Sequence, residues 1–102
     1  MGWAVDSRLR VYLAWPTDAL ADALAGAEQL ARTGHAPVLQ TCVPRWTELD
    51  RWRMEGCDCL VRFSGESDKC DFAVDSANVL GLPVYFSLQA CLDDLTKRAV
   101  VE

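Results

Sequence analysis

The stretch Arg8-Leu9-Arg10-Val11-Tyr12-Leu13-Ala14-Trp15 constrains the fold more than any other part of the chain. Its apolar residues run on without the alternation of a half-exposed strand and stop at Pro16, the mark of a β-strand covered on both faces. Such strands belong to parallel sheets, whose crossover helices supply the two coverings. The remaining sequence alternates accordingly. Thr17 stands as an N-cap with Asp18 in the first turn, and Leu20, Leu24, Ala27 and Leu30 or Ala31 recur at helical spacing as far as Gly34, which predicts a helix over about 18–33. The segment 36–41, with Pro37 at its start, reads as a second strand. Trp46, Leu49, Trp52 or Arg53 and Met54 line one side of a short helix over about 46–55, ended by Gly56. A third strand follows over 57–63, then a polar loop, then a helix on which Phe72, Ala73, Ser76, Ala77 and Leu80 repeat as far as Gly81. The segment 82–86 is a fourth strand, and Ser87 caps a last helix carrying Leu88, Cys91, Leu92 and Leu95.

With right-handed crossovers, this pattern implies an α/β three-layer sandwich of flavodoxin- or Rossmann-like type. Its four parallel strands lie in the order 2-1-3-4, with helices on both faces. A length of 102 residues matches one domain spanning 1–102 and leaves no room for a second. In open sheets of this kind ligands sit at the carboxyl ends of the strands, where strand order reverses. Here that names the loops at 14–17 and 63–69.

Composition removes several classes of function. Ten basic against fifteen acidic residues give a net charge of -5, which disfavours a nucleic-acid partner. The acidity is local: residues 1–41 sum to -1 (three basic, four acidic), 42–63 to zero (four and four) and 64–102 to -4 (three and seven). No run of about 18 apolar residues exists to cross a membrane, and Met1–Asp6 lacks a basic flank followed by an apolar stretch, so a cytoplasmic protein is expected. The five cysteines, at 42, 57, 59, 70 and 91, match no zinc or redox spacing. They read as small buried hydrophobes, and His35, without a second histidine, reads as a loop residue. No metal or cofactor is implied. The absence of a Gly-Lys-Ser/Thr loop after the first strand, and of any Gly-x-Gly-x-x-Gly, disfavours nucleotide-triphosphate hydrolysis and dinucleotide redox chemistry.

At the expected crevice, Trp15 either stacks on a base or covers the core. Thr17 adds a hydroxyl. Gly65, Ser67 and Lys69 lie where helix amides could hold a phosphate or ribose, although Ser67 is equally an ordinary N-cap. Glu66, Asp68, Asp71 and Asp75 surround that helix start, and their field suits a neutral nucleoside, a cation or a basic surface better than a phosphate.

Val11-Tyr12-Leu13-Ala14-x-Pro16, Ala27-x-x-Leu30-Ala31-x-x-Gly34, Cys57-Asp58 and Gly65-Glu66-Ser67-x-x-Cys70-Asp71-x-x-Val74-x-x-Ala77-x-x-x-Gly81-x-Pro83-Val84 together resemble the nucleoside 2-deoxyribosyltransferase superfamily, over roughly residues 9–86. The resemblance implies cleavage or transfer at an N-glycosidic bond. A glutamate on the helix after the third strand attacks the anomeric carbon and an aspartate before that strand assists, two acids serving an oxocarbenium-like transition state. The nucleophile position corresponds to Ala73, whose methyl group cannot form a glycosyl ester. Lys69 and Trp15 stand where the family has glycines. Asp50 matches the assisting aspartate, or is a solvated acid on an amphipathic helix, and Glu66 is the substitute nucleophile. The resemblance thus implies a binding protein for a nucleoside- or nucleotide-like small molecule, catalytically degenerate. The alternatives are an active enzyme using Glu66 and Asp50, and an interaction module presenting Trp46 and Trp52. It also implies a homodimer whose partner chain completes the pocket.

Overall fold

The computed structural model describes residues 9–101, with side chains through Thr96. Arg8, with which the first expected strand begins, and Met1–Asp6 lie outside the described residues. In chain order the elements are β1 (Arg10–Ala14), a 3-10 turn (Thr17–Ala19), α1 (Leu20–Arg32), β2 (Ala36–Leu39), α2 (Glu48–Glu55), β3 (Cys59–Arg62), α3 (Asp68–Leu80), β4 (Val84–Tyr85) and α4 (Leu88–Val101). The four strands form one sheet in the order β2-β1-β3-β4, every pair parallel. The chain is an α/β protein with the three-layer, Rossmann-like architecture that its alternating pattern predicts. None of the described helices is long and apolar enough to cross a membrane.

The period of two along the strands divides the core. Val11 and Leu13 of β1, with Cys59 and Val61 of β3, pack against Leu30 of α1 and Cys91 and Leu95 of α4. Tyr12, Ala14 and Leu60 turn the other way, onto Met54 of α2 and Cys70, Ala73 and Ala77 of α3. One crossover leads outward from β1 to β2 and the next two run back past it, so a constant right hand puts α1 on one face and α2 and α3 on the other. Val11, Tyr12 and Leu13 are fully buried, as expected of a strand covered twice.

Local chemistry sets several ends. The Ser67 hydroxyl accepts a hydrogen bond from the Cys70 amide at 3.1 Å and caps α3. Gly81 closes that helix in the left-handed conformation, φ 78°. Thr47 and Asp50 form a reciprocal capping box at the start of α2, so this helix begins at Glu48 rather than at Trp46. Thr17 is the first residue of the next turn and its N-cap position is taken by Pro16, with no side-chain capping bond. There the Ala19 amide bonds back to the Pro16 carbonyl at 2.9 Å, which produces a 3-10 turn before α1.

The sheet-facing stripe of α1 is Ala23, Gly26 and Leu30, while Leu20 and Leu24, expected on it, are exposed. A Cβ on Gly26 would lie 3.1 Å from Phe63 and 3.3 Å from Leu88, so small residues define this contact and the leucines turn outward. On α2 the buried pair is Asp50 and Met54, with Leu49 and Trp52 exposed. β2 stops at Leu39 because the Gln40 side-chain amide takes over the ladder. It donates to the Trp15 carbonyl at 3.1 Å and accepts from the Trp15 amide at 3.2 Å. His35 is half-buried rather than loose, its Nδ1 accepting from the Leu9 amide at 3.2 Å.

Candidate functional site

The strand order reverses between β1 and β3, and the two loops that leave their carboxyl ends touch. Gly65 adopts φ +126°, and a Cβ there would lie 2.8 Å from Pro16 Cγ. Only glycine fits that approach. Buried Pro16 therefore fills the space in which a ligand was expected. Trp15 is half-buried against the cluster between the sheet and the α1/α4 layer, Thr17 is exposed, and Ser67 is engaged as an N-cap.

A closed polar cluster lies on the opposite face, under α2 and α3. Asp50 is 0% exposed. Its carboxylate accepts from the Thr41 amide (2.9 Å) and hydroxyl (3.0 Å), the Thr47 amide (3.1 Å) and hydroxyl (2.9 Å) and the Tyr12 hydroxyl (3.2 Å). Lys69 Nζ stands 3.5 Å away. It donates to the carbonyls of Thr41 (2.8 Å) and Val43 (2.5 Å) and to the Thr41 hydroxyl (3.0 Å). Burial acts to raise the Asp50 pKa, but the bonds from Thr41 and Thr47 and the Lys69 charge outweigh it and hold the carboxyl below its ordinary value. For Tyr12, burial and then the Asp50 charge push the phenol above 10.0, so it remains a donor. The cluster ties β1, the 40–47 segment, α2 and α3 together, and its hydrogen-bonding capacity is directed inward.

The sign of the Asp50 shift makes stability depend on acid. A carboxyl group held below its unfolded value of 3.8 contributes stability that is complete above about pH 5 and is lost as pH falls through the folded pKa. Urea unfolding at pH 7 and pH 3 checks this: wild type is expected to weaken on acidification, and Asp50→Asn to weaken distinctly less.

The other candidates take no part in this hydrogen-bonded network. Glu66 is exposed on the loop before α3. Ala73 is 1% exposed, packed with Tyr12, Met54, Leu60 and Cys70. Asp71 pairs with Arg62 at 2.9 Å. Asp50, Glu66 and Ala73 thus occupy a buried helix start, an open loop and a core position. Four of the five thiols are buried and Cys42 is exposed, and burial pushes the Cys57 thiol up to about 11, which keeps it protonated and unreactive. Among the described residues no three His, Cys, Asp or Glu gather as a metal site.

Open space appears one strand further along the carboxyl edge. A shallow cavity of about 250 Å³ is lined by Ala19, Asp22, Phe63, Ser64, Phe86, Ser87 and Leu88. It lies where the turn before α1 and the loops after β3 and β4 converge, on the α1/α4 side. Phe86 is 64% exposed. The Ser87 hydroxyl accepts from the Ala90 amide at 3.1 Å and still has its own proton to donate. Two rings, two hydroxyls and one carboxylate can stack on a flat group and hydrogen-bond polyol hydroxyls. The sequence places Phe63 and Ser64 in the loop after the third strand, Phe86 at the end of the fourth, Ser87 as a cap and Leu88 on the last helix, without marking any of them as a ligand contact. The available signal was Phe86-Ser87, an aromatic and a hydroxyl at the carboxyl end of a strand.

Fold and cavity together define a small parallel α/β protein with a recess at the carboxyl edge of its sheet. No family model and no curated protein matches the chain.

Proposed function

We propose that the protein binds a neutral, nucleoside-type small molecule at the carboxyl edge of its sheet and does not cleave it. The observation that carries this reading is the recess between Phe63-Ser64 and Phe86-Ser87 with Asp22 at its side. A base stacks on Phe86, ribose hydroxyls donate to Asp22 and bond with Ser64 and Ser87, and Asp22 disfavours a phosphate at the same place. At about 250 Å³ the recess lies just under small-molecule sites, which begin near 300 Å³, so it suits part of a nucleoside better than a dinucleotide. The resemblance to deoxyribosyltransferases points to the same ligand class.

Cleavage by Glu66 and Asp50 is the competing reading. It requires Asp50 to supply a proton, whereas this carboxyl group is ionised near neutral pH and enclosed. A cytoplasmic location agrees with the buried free thiols, and a homodimer belongs to the same proposal. Phe86→Ala is expected to weaken nucleoside binding about tenfold, the loss of one stacked aromatic, with unchanged circular dichroism. Calorimetric titration checks this, and equal affinity in the variant contradicts the site.

A further inference from the structure

The face away from the recess carries apolar groups that the fold itself does not use. α2 and α3 both cover that side of the sheet, and outward from them stand Trp52 (65% exposed) on α2 and Phe72 and Val79 (80%) on α3. The exposed line of α3 is doubly periodic: Asp68 and Asp75 are seven residues apart, and so are Phe72 and Val79. Seven residues make nearly two turns, so both pairs lie on one outward stripe with about 10 Å between their members. The cations around this stripe are already committed. Arg51 pairs with Glu55 (3.5 Å) and Arg62 with Asp71 (2.9 Å), the Arg53 guanidinium donates to the Leu39 carbonyl (2.9 Å), and Lys69 is turned inward to Thr41 and Val43. The carboxylates of Glu48, Asp68 and Asp75, by contrast, are exposed and have no hydrogen bond or ion pair among the described residues. Exposed Arg45, in the loop before α2, offsets one of these charges at most.

We infer that the α3 stripe, with Trp52 of the neighbouring helix, docks a basic amphipathic helix of another protein. A helix whose apolar residues and lysines or arginines each recur at seven, laid along α3 at a shallow angle, puts apolar side chains on Phe72 and Val79 and cations on Asp68 and Asp75. The unpaired acids set the charge of the partner, and the hydrophobes between them set its amphipathic form. Two copies of this chain brought together on this face would oppose acid to acid, so it is not a self-contact. Trp52 adds a large ring, the residue type most enriched among interface anchors. Thirteen residues make α3 about 20 Å long, a footprint at the small end for stable pairs, so the complex is of micromolar strength and weakens with salt. The recess at Phe86 lies on the other side of the sheet and stays open, so the inference stands apart from the ligand reading, and either can fail alone.

Fluorescence anisotropy of a labelled lysine–leucine peptide titrated with the full chain tests it. The probe has about 18 residues, enough to form a helix, with its leucines on one face and its lysines flanking them. A second peptide of identical composition has the two residue types shuffled so that no such face forms. The patterned peptide is expected to bind one per chain at roughly tens of micromolar. The shuffled one is expected to bind at least about tenfold more weakly, because charge alone supplies neither register nor apolar contact. Phe72→Ser is expected to weaken the patterned peptide about tenfold. Asp68→Asn with Asp75→Asn is expected to do the same and to flatten the salt dependence. Absence of saturable binding, equal binding of the shuffled peptide, or variants that bind as wild type does overturns the inference. Circular dichroism reports folding. Should Asp68→Asn disturb the start of α3, Asp75→Asn alone takes its place, where a loss of about threefold supports the stripe and unchanged affinity overturns it.

Discussion

Asp50→Ala is expected to destabilise the protein by about 3–5 kcal/mol, the cost of removing one partner from a buried ion pair. In a domain of this size that lowers the melting temperature by roughly 12 °C or more. Little of the effect would come from the lost attraction. The larger part comes from what remains: a Lys69 ammonium group whose side chain is 5% exposed, a buried Tyr12 hydroxyl, and the amides of Thr41 and Thr47 without their acceptor. Lys69→Met is the informative comparison. It leaves Asp50 with five hydrogen bonds from Tyr12, Thr41 and Thr47, so its cost should be nearer about 1–3 kcal/mol. Thermal and urea denaturation of the two variants measure the difference. Equal and small effects would mean that the cluster does not hold the 40–47 segment to the sheet.

Ala73→Glu should destabilise the chain by about 3 kcal/mol or more and should not create a glycosidase. The position is 1% exposed and packed among Tyr12, Met54, Leu60 and Cys70. A carboxylate there has neither space nor solvation, and burying an unpaired charge is among the few changes that produce losses of this size. A variant that folded as well as wild type and released free base from nucleosides would show that the α3 core face opens to substrate.

The fold was legible because its strongest signals agree. Val11–Ala14 runs apolar without alternation, and Gly34, Gly56 and Gly81 each follow a helical repeat, so order and topology follow from local pattern and handedness. The inner face of α1 was misleading for a packing reason. Leucine spacing points to Leu20 and Leu24, but Phe63 and Leu88 come so close at Gly26 that only small residues fit. Asp50 read either as an assisting acid or as a solvated helix acid, and not as the centre of a buried network, because its partners are far away in sequence: Tyr12 precedes it by 38 residues and Thr41 by nine. The Thr47-x-x-Asp50 capping box was the local clue. The reversal rule directs attention to the loops after β1 and β3, yet Pro16 against Gly65 fills that gap. The recess shares the loop after β3 but opens toward β4, and no local pattern reports such a contact between loops.

The most direct test of the central claim combines amide-resolved NMR titration of the whole chain with an assay for released base. The probes are natural ribo- and deoxyribonucleosides, each also offered with a second free base as acceptor. The expected result is saturable shifts confined to residues lining the recess, at 19–22, 63–64 and 86–88, with neither free base nor exchanged nucleoside formed. Formation of either product, or saturable shifts centred on Thr41, Asp50 and Lys69 instead of Phe86 and Ser87, would contradict the account.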